Sequence, residues 1–290
     1  MDVKKFITDH ELTSFPVGLG GCRVSGISDN SCDYDVFVFD GRLGEETLKF
    51  ENESVMIHHG SLSETQSKQL LQYNGLEIIQ DESWELRMFL SKIHKKRILL
   101  YNDFAKNSLI ESLFCCQKTK ESIHSTDQFG PCWQKCAVFY LADAISSLNH
   151  QRISPSHMLD VLRKLEKNQI NDYISTVTQT VGIERATPPL LERMLKSTIG
   201  FSDLVEKNNH SQIIQQKFDY FVNNSMLADC YFYLGWINKE NFVKIKDNLN
   251  REQDLIHILK VAFDVEADLN LVEQQANSIE KSCNAILGFL

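Results

Sequence analysis

No Cys-x-x-Cys pair occurs anywhere in the chain, and its eight cysteines show no paired spacing, with Cys115 and Cys116 adjacent. This excludes the disulfide framework of a small secreted domain, and the thiols read as the reduced ones of a cytosolic, cytoplasmic protein. Cys132 and Cys136 stand one helical turn apart. No second Cys or His pair at zinc-finger spacing accompanies them, so they read as small packing residues. Also missing is any run of eighteen apolar residues, and the opening segment MDVKKFITDH has no apolar signal core. Both absences argue against a membrane span and against secretion. A basic balance is lacking too: 39 acidic against 30 basic residues leave a formal charge of -9, so coating nucleic acid is not favoured as the main task. Neither an internal repeat nor a low-complexity segment appears.

What the chain does have is 290 residues at 42% hydrophobic content, enough for one large domain or two ordinary ones with a sizeable core. Its texture changes near Asn102. Before that point, short runs rich in Val, Ile and Phe alternate with turns, predicting strands over 15–19, 34–39, 47–51, 55–59 and 76–79. Residues 51–54 could close a hairpin. Helices are predicted over 63–73 and over 82–95, where Leu86, Phe89, Leu90 and Ile93 form one apolar stripe capped by Asp81 or Ser83. Beyond Asn102 the pattern is helical throughout, with one stripe through Ala137, Tyr140, Leu141, Ala144, Ile145 and Leu148 and another through Leu255, Ile258, Leu259 and Ala262. Pro155 and Pro188-Pro189 mark helix starts, and a bundle of four or more helices is the economical packing. The expected units are residues 1–102 and 103–290.

The stretch that carries chemistry runs from Gly21 to Asp40, GCRVSGISDNSCDYDVFVFD. A glycine-rich turn after a strand is followed by Asp33 and Asp35 at i and i+2 on the next strand. Side chains two apart on a strand share a face, so both carboxylates are expected to project to one side. Two like charges held so close favour a shared hard cation, Mg2+ or Mn2+. Gly20, Gly21 and Gly26 would let backbone N–H groups approach phosphate oxygens, with Cys22, Arg23 and Ser25 as further contacts.

In Gly21-Cys22-Arg23-Val24-Ser25-Gly26 followed by Asp33-Tyr34-Asp35, this segment resembles the signature of the DNA polymerase beta type nucleotidyltransferase superfamily. The usual Ser after the glycine is Cys22 here, a weaker hydrogen-bond donor. The resemblance implies an α+β architecture, a small mixed-sheet nucleotidyltransferase domain followed by an all-helical bundle domain. It also implies a metal-dependent enzyme that moves a nucleoside monophosphate group from a nucleoside triphosphate, ATP in the first instance, to an acceptor hydroxyl. Gly20, Gly21, Cys22, Arg23 and Ser25 would hold the phosphates, and Asp33 and Asp35 the metal. The superfamily often adds a third carboxylate from a neighbouring strand, for which Glu53 is the candidate, with Glu51 beside it. The strand over 55–59 offers only His58 and His59, which read as polar positions on an edge strand.

The segment from Trp133 to Lys164 is similar in pattern to the helical domain of kanamycin nucleotidyltransferase-like proteins, which closes the cleft and holds the acceptor. Asp143 is the candidate general base, because it falls away from the apolar stripe of its helix. The basic run from Lys92 to Arg97 reads as a helix-end cap. Arg152 and His157 resemble the Arg and His pair of HEPN-type ribonucleases, although Pro155 falls inside their spacing. The acceptor, an aminoglycoside-like small molecule, a protein or an RNA end, stays open, and a homodimer is compatible with the reading. The rival expectation is a non-catalytic nucleotide-binding or scaffold relative, motivated by Cys22 and the missing third acid. A toxin–antitoxin component is a further alternative.

Overall fold

The computed structural model describes residues 1–125, 127–151, 154–205, 210–251 and 253–290. Its first part is a five-stranded mixed sheet in the order β3-β4-β2-β1-β5. The strands are β1 (Val17–Gly20), β2 (Tyr34–Val38), β3 (Gly44–Phe50), β4 (Glu53–His59) and β5 (Glu77–Gln80). Strand β1 pairs antiparallel with β2 and β5, β4 pairs parallel with β2, and β3 closes on β4 as a hairpin. Glu51 and Asn52 turn that hairpin with φ of 49° and 68°. Positive φ at both central residues matches the right-handed twist of the flanking strands. Glu53 is thus the first residue of β4, paired with Phe50 and not at the turn itself.

The alternation within β2 sends its residues into two cores. Val36 and Val38, with Val17, Leu19, Val55 and Ile57, pack under the helix α1 (Val3–Asp9) through Phe6 and Ile7. Phe37 and Phe39 face the other way, against Leu71 and Tyr73 of α3 (Ser67–Tyr73) and Leu86, Ile93, Leu100 and Tyr101 of the long helix that follows β5. Between β1 and β2 lies the one-turn α2 (Cys22–Ser25), ended by Gly26 at φ 77°, a left-handed value that suits a residue without Cβ.

Helix α4 spans Glu85–Ile123, 39 residues without glycine or proline, and position 102 falls inside it. At 1.5 Å per residue it is about 58 Å long. Its first half covers the sheet, and its second half, through Leu109, Cys115 and Cys116, enters the core of the helical part. The composition changes where the helix passes from one core to the other, yet the backbone has no reason to stop. The run from Lys92 to Arg97, expected at a helix end, accordingly sits mid-helix with its lysines and arginine exposed.

The helical part comprises α5 (Gly130–Leu148), α6 (Met158–Lys164), α7 (Ile174–Val181), α8 (Pro188–Val205), α9 (His210–Asn223), α10 (Leu227–Ile245), α11 (Ile256–Ala262) and α12 (Leu269–Leu287). Helix α5 is central, packed against α4, α7, α10 and α12. Surrounded on all sides, it buries polar residues as well as its apolar stripe: Lys135, Asp143, Ser146 and Ser147 find partners inside, whereas the Gln134 amide has none among the described residues. No helix among the described residues is long and apolar enough to cross a membrane. All eight cysteines are free and buried, Cys132 and Cys136 as core packing in α5.

Lys135 is one of the polar residues that α5 buries. Its Nζ donates to the Val181 carbonyl at 2.7 Å, at the C-terminal end of α7, and lies 5.9 Å over the Tyr231 ring. Neither carries a full negative charge, so burial dominates and pushes Lys135 down to about 8 from 10.5. Between these values the unfolded chain binds the proton and the folded one does not, so stability rises with pH across that window. The penalty is fully present below about pH 8. Lys135→Met should therefore raise the unfolding free energy at neutral pH by about 1–3 kcal/mol, and the gain should shrink toward pH 10. Urea unfolding of both proteins at the two pH values checks this; a gain independent of pH would contradict it.

Candidate functional site

The glycine turn and the acidic strand do meet. Gly20 pairs with Asp35 across β1 and β2. A Cβ added to Gly21 would sit 1.8 Å from Asp35 Oδ2, and Gly21 has φ of 69°. The Asp35 carboxylate thus lies directly on the bend, and only glycine leaves room for it.

Each carboxylate of the pair already faces a cation of the protein. Asp33, 5% exposed, sits just before β2 with Oδ1 2.6 Å from Lys217 Nζ on α9. Burial pulls against both charges, but each holds the other ionised: the Lys217 ammonium lies well above the usual lysine range and the Asp33 carboxyl below its own. Asp35 Oδ1 accepts from His58 Nε2 at 2.9 Å, and His58 Nδ1 donates to Glu45 Oε1 at 2.9 Å. Burial lowers the His58 pKa, but the bonds to Asp35 and Glu45 outweigh it and hold the ring at about 9. At neutral pH it is an imidazolium that donates from both nitrogens, stacked 4.5 Å from the Phe37 ring. His58 is not on an edge: β4 lies between β3 and β2, which brings the ring to the face that carries Asp35.

The third expected ligand is elsewhere. In β4 the side chains of Met56 and His58 share the face of Asp35 and Phe37, so Glu53, at odd spacing from them, belongs to the opposite face. There its Oε2 lies 3.5 Å from Arg23 Nη2. Arg23 is turned inward as well. It donates to the Cys32 carbonyl at 2.5 Å and stacks 4.5 Å over the Tyr34 ring. Ser25 Oγ donates to the Cys22 carbonyl. The side chains expected to greet phosphate are thus committed to holding their own loop.

Asp143, expected off the core, is 7% exposed in α5. The reason is the central position of that helix, which covers even the side away from its apolar stripe. Its Oδ1 accepts from Trp236 Nε1 at 3.1 Å and its Oδ2 from Lys239 Nζ at 2.9 Å. It is the counter-ion of a buried lysine. Arg152 lies outside the described residues; His157, in the single 3₁₀ turn before α6, is packed against the sheet part.

The sequence reading missed the seam that these contacts form. Asp33 with Lys217, Ser54 with Gln216 at 2.7 Å, Lys68 with Glu240 at 3.6 Å and Cys32 with His157 at 3.2 Å all join the sheet to the helical part. His210, whose pKa is lowered by burial and by Lys217, feels the charges of Glu45, Asp33 and His58 together. Cys22 and Cys32 are hydrogen-bonded; that bond, opposed by burial and helped by His157, lowers Cys32 to about 5, while Cys22 moves upward. No local signal in the sequence identifies partners so distant, although the unusual Cys22 marks one end.

A Mg2+ or Mn2+ clamp does not fit this arrangement. Mg2+ asks for a near-octahedral set of oxygens and keeps several waters. Asp33 has no open side for them, with an ammonium at 2.6 Å, and Asp35 is held by an imidazolium. A divalent ion would first have to displace Lys217.

No protein-family profile matches the chain, and no curated protein matches it. Among solved structures it is similar to the crystal structure of a nucleotidyltransferase-like protein from Exiguobacterium sibiricum. The two are 11% identical with a TM-score of 0.35, over 88% of this chain and 89% of that one. At this identity no residue role passes from that protein to this one.

Proposed function

We propose that this chain is a non-catalytic scaffold relative of the nucleotidyltransferases, in which the acidic pair no longer serves a nucleotide and instead latches the sheet to the helical bundle. The observation that carries the reading is the buried contact of Asp33 with Lys217 at 2.6 Å. A transferase of this type spends its acids on a cation that reaches the substrate phosphates. Here the cation is a lysine of the same chain. The presence of His58, not a third acid, beside Asp35, and the inward commitment of Arg23 and Ser25, point the same way.

A second reading, metal-dependent transfer from an open form, is favoured by one contact: the Asp35 carboxylate still lies over the Gly21 bend, where metal and phosphate would meet. One experiment decides between them. Incubation with α-labelled nucleoside triphosphates, Mg2+ or Mn2+ and a panel of small-molecule, protein and RNA acceptors should release no pyrophosphate above the level of Asp33→Ala and Asp35→Ala variants, and should leave no label on the chain. Turnover that needs both aspartates establishes the transferase and removes the scaffold reading.

A further inference from the structure

The three buried side chains Cys22, Cys32 and His157 place two Sγ atoms and one Nε2 all within 4.8 Å of one another. They come from α2, from the loop before β2, and from the 3₁₀ turn before α6. Asp29 adjoins them: its Oδ1 is 3.6 Å from Cys32 Sγ and its Oδ2 is 3.9 Å from His157 Nε2. We infer that Cys22, Cys32 and His157 hold a tetrahedral zinc ion, with the adjoining Asp29 carboxylate turning in as the fourth ligand, and that this site staples the helical part to the sheet.

The close grouping of two thiols and an imidazole suits that ion. With Zn–S near 2.3 Å and Zn–N near 2.0–2.1 Å, a tetrahedron has S···S edges of about 3.8 Å and S···N edges of about 3.6 Å. The Cys32 to His157 separation of 3.2 Å needs only a few tenths of an ångström of opening. Two thiolates and an imidazole are a soft and borderline donor set, which selects zinc over Mg2+. The loop is also shaped for a thiolate: the Asp29 backbone N–H donates to Cys32 Sγ at 3.3 Å, and Ser31 N–H and Oγ both hold Asp29 Oδ1 at 2.7 Å. As the Zn–S bonds form, each thiol gives up its proton to solvent, and neutral His157 offers the Nε2 lone pair. Zinc with two thiolates and one carboxylate carries a net charge of about -1. The nearby Lys217 ammonium, whose field acts on Cys22, offsets it. The inference does not depend on the scaffold reading, since zinc at this corner is compatible with an active or an inactive acidic pair.

The test is metal analysis of the intact chain, purified reduced and without chelators. The expected result is about one zinc per chain, and, after exchange for Co2+, the thiolate-to-cobalt charge-transfer band and the intense visible bands of a tetrahedral sulfur-containing site. Cys32→Ser and His157→Ala should each lose the bound metal, and Asp29→Asn should weaken binding by about tenfold or more. Cys230→Ala, at a buried cysteine of α10 outside the cluster, should keep the full complement. Far-ultraviolet circular dichroism shows whether the variants fold, and the Asp29→Asn affinity serves where a ligand variant does not. A reduced wild-type chain that gives no cobalt bands and holds no zinc overturns the inference, leaving a metal-free hydrogen-bonded thiol pair; so does zinc retained equally by every folded variant.

Discussion

Lys217→Met should lower the unfolding free energy by about 3–5 kcal/mol, the cost of leaving a buried carboxylate without its counter-ion. Asp33 and Lys217 are both 5% exposed, so water cannot replace either partner in the folded chain. Asp33→Leu should cost a similar amount for the mirror reason, a stranded ammonium. The double variant Lys217→Met/Asp33→Leu should recover most of the loss, because a buried ion pair and an apolar pair of similar volume differ little in net stability. Urea denaturation of the four proteins completes the cycle and isolates the coupling. Two single losses below about 1 kcal/mol with no coupling would mean that the pair is solvated in solution. The seam would then stand open, Asp33 would be available to a cation, and the transferase reading would gain what the scaffold reading lost.

That pair also shows where the sequence is legible and where it is not. Strands β1 to β5 each overlap an expected run, because β-branched and aromatic clusters bounded by Gly, Asp and Asn report on local backbone preference. The meeting of the Gly21 bend with Asp35 was legible for the same reason, being a contact between neighbouring strands joined by a short connection. Lys217 was not legible. It is one lysine on an amphipathic helix, and nothing local distinguishes a lysine that folds back onto an acid from one that faces water. His157 is the same case, 125 residues from Cys32. Asp143 failed differently. A position off the apolar stripe is exposed only when a helix has a free side, and α5 has neighbours all round. Glu53 failed by alternation: it stands three residues before Met56, and the pleat therefore puts it on the face of β4 opposite to Asp35 and Phe37.

Lys239→Met should destabilise the chain by about 3–5 kcal/mol, and Asp143→Asn by only about 1–2 kcal/mol, although the two residues are partners. The asymmetry follows from what each deletion strands. Lys239, 1% exposed, lies 2.9 Å from Asp143, 2.5 Å from Glu240, and over the Tyr140 and Trp236 rings at 4.6 Å and 4.4 Å. Burial lowers its pKa, but the two carboxylates more than reverse that, and the lysine in turn holds Glu240 down at about 2 against its own burial. Removing the lysine leaves both acids facing each other across a core, with Lys68 on α3 at 3.6 Å from Glu240 as the remaining cation. Removing the Asp143 charge leaves Lys239 still paired with Glu240 and still over two aromatic faces, and the asparagine can still accept from Trp236. Urea denaturation followed by far-ultraviolet circular dichroism measures both losses. Equal losses would show that Asp143 is the sole counter-ion of the lysine, and a larger loss for Asp143→Asn would reverse the assignment of the central charge.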